Sequence, residues 1–442
     1  MGPATDPVIS DSALPSSADV VVIGGGIIGT SAAFDLARRG VRVVLCEKGQ
    51  IAGEQSSRNW GWVRKQGRDS RELPLIVESL RLWQGMNEAV GADTGFRTTG
   101  ILYALSSDAD IARWEAWLER VRPYQLDSRL VSGDELTRLM PGATRGFKAG
   151  LFTASDGRAE PQQAAPAIAR AAQRAGATVL TGCAVRGLET TGGRVSGVVT
   201  ERGHIACNGV VLATGAWSRL FCKDHDIRLP QLRVRSSVLR TGPVEGGPEA
   251  AAWLPDVAYR KRLDGGYTVA GAVASVADIL PDSFVFFREF LPALRQNWRK
   301  MPLRFGRRFF EELSWAGPTP LDQASRYERV RVLDPAPQQQ VNAGALAALA
   351  TVYPVFAKAK VAQQWAGLID VTPDVVPVIS PVERLPGLVV ATGFSGHGFG
   401  IGPGAGRLAA DLVTGAPPVV DPHPFRLTRF SDGSEIRIEA GI

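Results

Sequence analysis

Residues 19–48 read DVVVIGGGIIGTSAAFDLARRGVRVVLCEK. The opening run, Asp19 to Ile23, is apolar and β-branched, the pattern of a strand buried on both faces. Gly24-x-Gly26-x-x-Gly29 follows it directly. Thr30 to Arg39 then reads as a helix, with Ala33, Phe34, Leu36 and Ala37 on its apolar face and a stop at Gly40. Val41 to Cys46 is a second strand that ends at Glu47. The unit is β-α-β, and each glycine has a task in it. Gly24 permits the tight turn, Gly26 lets the backbone approach a pyrophosphate, and Gly29 lets the helix pack on the strand. The helix N-terminus offers free N–H groups and a positive dipole end to phosphates. Glu47, with Lys48 beside it, stands where an acidic side chain accepts from a ribose hydroxyl. The stretch therefore predicts a dinucleotide site. A glycine-rich turn that merely packs tightly is the alternative.

The rest of the composition narrows the class. The chain has 442 residues, 45% of them hydrophobic, with a net charge of +6. That is ordinary globular composition with room for two or three domains, and it excludes collagen-like, coiled-coil and wholly disordered chains. So mild a basic bias argues for neither nucleic acid nor an anionic membrane as a partner. Four cysteines with no CxxC pair, and four histidines, predict no metal site and no disulfide framework. No run approaches the ~18 apolar residues of a membrane span. Residues 1–17 are polar with Pro and Ser, and read as a disordered tail, so the expected location is the cytoplasm.

Strand and helix signals recur along the chain. Residues 71–122 read as largely helical around a strand near TTGILYAL. AGLFTAS (149–155) reads as strand, 161–175 as helix, and ATVLTGCAV (177–185) as strand. Between about 231 and 280 the pattern alternates in period two, which favours an antiparallel sheet. LVVATGF (388–394) is a final buried strand leading to another helix. This layout predicts an α/β fold. A Rossmann-like FAD-binding domain of the glutathione-reductase type (18–93, 149–230 and 361–442) carries an inserted substrate domain of antiparallel sheet plus helices (94–148 and 231–360). FAD is preferred to NAD because the N-terminus, the middle and the C-terminus all look built for one long ligand. Thr214-Gly215-Ala216-Trp217 ends one strand. Gly396-His397-Gly398-Phe399-Gly400-Ile401 opens a helix whose N-terminus would face the flavin pyrimidine, where reduced flavin carries negative charge.

The chain resembles the D-amino acid oxidase superfamily of FAD-dependent amine oxidoreductases, and within it the glycine oxidase, sarcosine oxidase and D-amino acid dehydrogenase branch. The resemblance lies in the opening βαβ unit, the Ser56-Ser57-Arg58-Asn59 loop, SDGRAEP (155–161), VVLATGAWS (210–218), TPDVVPVIS (372–380) and ATGFSGHGFGIGPGAG (391–406). It implies a cofactor shell of Gly24, Gly26, Ile28, Gly29, Glu47, Lys48, Ser56, Ser57, Arg58, Asn59, Val185, Thr214, Gly215, Trp217, Gly396, His397, Gly398, Gly400 and Ile401. It implies oxidation of a C–N bond by hydride transfer to flavin N5, giving an imine that hydrolyses, with the protein orienting a neutral amine over the ring. The substrate class is a small amine or amino acid: secondary or cyclic, D- or N-alkyl. Covalent flavin attachment points of the family fall near Asn59 and Gly367, neither of which can bond flavin, so the FAD is expected to be non-covalent.

Departures from the family pattern bear on substrate. The segment whose Arg clamps a carboxylate in glycine oxidase-like members is Gly367-Leu368-Ile369-Asp370 here, with Ile369 in the Arg position. A bidentate Arg is the natural carboxylate receptor. Arg64 is one substitute and Arg260, after Tyr259, a second; alternatively Asp370 attracts a protonated amine and the substrate lacks a carboxylate. For each charge, the competing reading is an ordinary salt bridge. Trp60, Trp62 and Trp365 form an aromatic wall over the flavin or beside a cation, or else core packing. His397 is placed beside the flavin, and His397, Arg64 and Asp370 are the candidate catalytic groups.

In sarcosine oxidases a Lys near flavin N5 speeds reaction with oxygen, and the comparable stretch Gly266-Tyr267-Thr268-Val269-Ala270 has none. This favours a dehydrogenase, leaving oxygen and a quinone both open as acceptor. Phe284 to Phe310 mixes aromatics with Arg288, Arg295, Arg299, Lys300, Arg304, Arg307 and Arg308. It reads either as a peripheral contact with an anionic membrane or as a cover or homo-oligomer helix broken by Pro292, Pro302 and Gly306. An NAD-dependent dehydrogenase, a flavoprotein binding RNA and an interaction protein with inert flavin are the rival classes; no aromatic-basic RNA motif supports the second.

Overall fold

The computed structural model describes residues 2–271, 275–297, 301–315 and 317–439. Arg299 and Lys300 of the basic segment lie outside the described residues. Eight strands, in chain order, organise the chain: β1 (Val20–Ile23), β2 (Val43–Cys46), β3 (Thr178–Leu180), β4 (Gly209–Leu212), β5 (Leu232–Thr241), β6 (Val361–Val371), β7 (Val378–Pro381) and β8 (Leu388–Thr392). Four helices position the site: α1 (Ile27–Arg38), α2 (Leu73–Gln84), α3 (Pro161–Arg174) and α4 (Gly398–Thr414).

The first sheet runs β7-β8-β4-β1-β2-β3. Its strands are parallel except β7, which returns antiparallel to β8. β1 sits in the middle, with Val20 opposite both Gly209 and Val43. All four of its residues are buried, as are those of β2 and β4, because α1, α3 and α4 cover one face and a second apolar cluster covers the other. This is why the strands carry continuous rather than alternating apolar residues. α1 begins at Ile27, three residues earlier than the sequence suggests. Its first turn contains Ile28 and Gly29, whose low helix propensity is overridden by packing.

The close approach of α1 to β1 depends on two glycines. Gly24 has φ +106°, a backbone state that side-chain-bearing residues rarely adopt. A Cβ on Gly29 would lie 1.9 Å from the Gly24 carbonyl oxygen.

The second sheet is ten-stranded and mixed. β5 and β6 pair antiparallel along their whole length, from Leu232 opposite Val371 to Thr241 opposite Val361. Tyr267–Gly271, Val257–Lys261 and Ala251–Trp253 extend the antiparallel region predicted between 231 and 280. Ile101–Leu105, Ala149–Thr153 and Ser128–Val131 continue the sheet. Residues 281–297 and 301–313 pack outside it, tied down by Arg308–Asp278 (3.0 Å), Arg304–Asp278 (3.0 Å), Arg219–Asp282 (3.1 Å) and a buried Arg233–Glu312 pair.

The N-terminal tail departs from expectation: residues 2–17 are an ordered strap. β3 is the edge of the first sheet, and an edge strand exposes unpaired N–H and C=O groups. Asp11 covers it, its amide donating to Val179 O (2.9 Å) and its carboxylate accepting the Val179 amide (2.7 Å). Thr5 bonds Ile51 O, the Asp6 amide donates to Gln162 O, and Ser16 O accepts the Ala206 amide. Polar composition suggested disorder, but these polar groups serve a distant strand.

Gly29→Ala is expected to force α1 off β1, with a loss of about 1–3 kcal/mol and of flavin content. Chemical denaturation with absorbance of the purified protein reads both.

Candidate functional site

One long cavity collects residues from both ends and the middle of the chain. Gly24, Gly26, Ile28 and Glu47 line one end; Thr214, Gly215 and Trp217 the middle; Gly396, His397, Gly398 and Gly400 the other end, with Arg64 and Trp253. It opens at the carboxyl ends of the parallel strands, where α/β sheets place their ligands.

The dinucleotide end is built from backbone and fixed side chains. Both Glu47 oxygens accept amides, Gly25 at 2.7 Å and Gly49 at 2.7 Å. Burial raises its carboxyl above the usual range, against those two bonds. Ser56 Oγ accepts the Ile27 amide (2.8 Å), fixing the start of α1 against the loop. A Cβ at Gly26 would meet only Ser56 Oγ, at 3.0 Å, so open space adjoins this backbone. Asn59 lines the cavity and accepts the Gly61 amide (2.7 Å). Arg58 lines it too, anchored to Ala366 O (2.7 Å) and Asp334 (2.8 Å). Lys48 lies over the Trp217 ring and donates to Val330 O, Arg331 O and Glu54. Val185 contributes an apolar wall.

Three of the predicted cofactor residues stand behind this wall. Gly29 packs on β1, Ser57 is buried with its carbonyl accepting from Gln162, and Ile401 is in the core of α4. They support the cavity without lining it.

The opposite end joins a second helix N-terminus to a charged loop. His397 is the N-cap residue of α4, and Gly398, Phe399 and Gly400 of its first turn line the cavity. Desolvation first, and then Arg68, push the His397 imidazole down to about 4, so it is neutral in the ligand-free protein. Arg64 and Arg68 both line the cavity. Arg64 sits 5.7 Å over Tyr103 and 6.0 Å over Trp62, and its guanidinium donates to Gln66 O. Arg68 Nε donates to Arg64 O (3.2 Å), while its buried Nη1 has no partner. Neither cation has a carboxylate within ion-pair distance among the described residues. Asp156 holds their loop by accepting the Lys65 and Gln66 amides, at 2.9 and 3.1 Å; burial pushes its carboxyl up to about 6.

Beside Arg64 lies an aromatic box. Trp60, Trp62 and Trp253 line the cavity, with ring centroids 5.4 Å (60–62), 5.2 Å (60–253) and 6.2 Å (62–253) apart. The Trp62 indole nitrogen is buried without a partner.

Four sequence expectations are corrected here. Arg260 is no substrate receptor: fully buried, it makes two bonds to Glu160 (2.8 and 2.9 Å). Burial works against that carboxylate, yet Arg260 and Arg262 hold it down at about 2. Tyr259 faces the other way and shares its hydroxyl with Tyr353 (2.8 Å) inside the core. Trp365 is core, its indole donating to Arg58 O (2.9 Å). Asp370 does line the cavity, but its Oδ2 accepts from the Gly393 amide (2.7 Å), Thr392 (3.0 Å) and Gln231 (3.0 Å). With burial raising its carboxyl, it ties β6 to β8 and does not recruit an amine. Sequence reading missed Arg68, Tyr103 and Trp253. The charge density of residues 64–72 was a signal for the first; nothing local marked the other two.

Comparison with known proteins agrees with this geometry. The family model described as FAD dependent oxidoreductase (DAO) matches residues 19–412. A glycine oxidase of Pseudomonas aeruginosa is 27% identical over 92% of this chain and 97% of its own length. The solved L-amino acid deaminase of Proteus myxofaciens, in complex with anthranilate, superposes with a TM-score of 0.94, at 36% identity over 98% of this chain and 97% of that one. The L-amino acid deaminase of Proteus vulgaris gives 0.92 and 34%, over 96% of this chain and 100% of that one. The residues present suit the cofactor that the family uses. Two helix N-termini, a glycine cradle and an amide-fixed acidic residue border one continuous cavity.

Arg260→Met is expected to cost about 3–5 kcal/mol of stability by removing the two-bond partner of buried Glu160, which keeps only Arg262 at 3.4 Å as a cation. Folded molecules should keep a wild-type KM, which thermal melts and steady-state kinetics check together.

Proposed function

Because the chain belongs to the DAO family of FAD-dependent oxidoreductases, we propose that it oxidises the Cα–N bond of an α-amino acid, with Arg64 receiving the substrate carboxylate and the tryptophan box receiving an apolar or aromatic side chain. The observation that carries this is the pair Arg64 and Arg68. Both border the cavity, and neither has a carboxylate within ion-pair distance among the described residues; Arg68 is buried, where cations are normally paired, and its Nη1 has no partner there. A carboxylate ligand supplies the missing charge. The alternative of an amine without a carboxylate loses its receptor, since Asp370 is already bonded by three donors.

Bound FAD supplies the hydride acceptor for the carbon next to nitrogen. The protein's own contribution is orientation and desolvation. Arg64 fixes one end of the substrate, and Trp60, Trp62 and Trp253 exclude water from the other. His397, neutral and at the start of α4, is placed to hold a hydrogen bond at the flavin end. FAD is held non-covalently in this reading, since neither Asn59 nor Gly367 can bond it.

The electron acceptor is read as a membrane quinone rather than oxygen. Phe284, Phe287, Leu303, Phe305 and Phe310 are each more than half exposed on segment 281–313. Such a patch rimmed by arginines suits peripheral attachment to an anionic bilayer. No helix among the described residues is long and apolar enough to cross a membrane.

Arg64→Ala is expected to raise KM for the amino acid about 100-fold, whereas Asp370→Asn lowers stability and leaves KM within a few-fold. The reverse pattern in steady-state kinetics would support a simple-amine substrate. The holoenzyme should co-sediment with anionic vesicles, and less so after Phe305→Ser with Phe310→Ser. Wild-type protein left in the supernatant would contradict membrane attachment.

A further inference from the structure

Glu72 is a fully buried carboxylate beside His397. It ends the loop that carries Arg64 and Arg68, and it is the N-cap residue of α2. Its side chain is fully buried, and neither carboxylate oxygen accepts a hydrogen bond. His397 Nδ1 lies 3.3 Å from Glu72 Oε2. That nitrogen is likewise without an aligned partner.

The placement is enforced. α2 is bolted to α4 by Ser79 and Trp83, which both donate to Gly400 O (2.8 and 2.9 Å), while the Gly404 amide donates to Ser79 Oγ (3.1 Å). Each residue therefore stands at the N-terminus of one of two packed helices. Both helix ends favour negative charge and oppose positive charge. A proton on His397 is disfavoured there. The charged groups facing His397 are Glu72 from α2 and Arg68 and Arg64 from the loop. Desolvation first, and then Arg68, keeps the imidazole neutral in the ligand-free protein against the opposing pull of Glu72.

We propose that Glu72 is a positioning residue for His397 and the counter-charge for its protonated form, so that a carboxylate ligand entering beside Arg64 and Arg68 draws one proton from solvent onto His397, with Nδ1–H donating to Glu72. The ligand's charge offsets the two arginines, and Glu72 then has a cation to pair with. The bond formed is N–H on the imidazole, the proton comes from bulk buffer, and no electrons move. Substrate binding thereby converts a neutral imidazole at the flavin end into a cation, held in one orientation. This inference rests on the carboxylate reading of Arg64.

The test is calorimetric titration of the FAD-loaded protein with anthranilate at about pH 6.5, where an ordinary histidine is half-charged and this one is neutral, in buffers of different ionisation enthalpy. The slope of the observed heat against that enthalpy gives the protons taken up. Wild type is expected to take up close to one proton per anthranilate, Glu72→Gln and His397→Asn close to none, and Glu72→Asp to recover part of the uptake. A wild type that binds anthranilate without proton uptake would overturn the proposal by itself, whether or not the variants fold. So would undiminished uptake by Glu72→Gln. Failure of wild type to bind anthranilate at all would instead remove the carboxylate reading beneath it.

Discussion

The contact between α1 and the end of β1 constrains the rest of the molecule. With 1.9 Å between the Gly24 carbonyl and the place of a Gly29 Cβ, the helix sits directly on the strand, and its N-terminus faces the cavity. β1 is also the strand flanked on both sides, by β2 and β4. Its position therefore sets where Glu47 and Thr214-Gly215 emerge. Through β4 and β8 it sets where the chain enters α4. A dinucleotide laid along the carboxyl ends of these strands meets fixed groups at each step, with little reorganisation on binding.

The second sheet supplies contrast in charge. Where the protein needs rigidity, buried cations are matched: Arg260 with Glu160, and Arg233 with Glu312. Buried ion pairs contribute little net stability, but breaking one is costly, so they hold geometry. At the substrate end the matching stops. Arg64, Arg68, Glu72 and His397 crowd together with unsatisfied atoms on the last three. Unsatisfied buried polar groups are uncommon in native structures, and each calls for a water, an ion, a ligand or a functional reason. A ligand carboxylate would complete this set.

Much of the nucleotide-binding half was legible because its signals are local. Glycine spacing, a buried strand and an acidic residue at the next strand end lie within thirty residues, and all line or support the cavity. The glycine-rich run Gly396–Gly400, which also lines the cavity, was legible for the same reason. The substrate end was read less well, because partners there are distant in sequence. Arg260 was open to either a ligand or a salt bridge, and its partner Glu160 lies a hundred residues away at the start of α3; Asp370 looked available until Gln231 and the turn after β8 reached it. Trp365 and Tyr259 carry the composition of a pocket wall, but strand alternation turns them into the core. The strap at residues 2–17 was misread in the same way: its hydrogen bonds go to β3, over a hundred and sixty residues away. Glu72 had no local signal, since its isolation arises only when α2 packs on α4.

The central claim is that an amino acid, held by its carboxylate, is oxidised at the cavity between the two helix N-termini. Its most direct test is anaerobic titration of the purified yellow protein with α-amino acids and with the corresponding amines that lack the carboxylate, following the visible flavin band. Bleaching by one or more amino acids, with no response to their decarboxylated counterparts, is the predicted result. Equal bleaching by the amines, or a flavin band that no amino acid reduces, would contradict it.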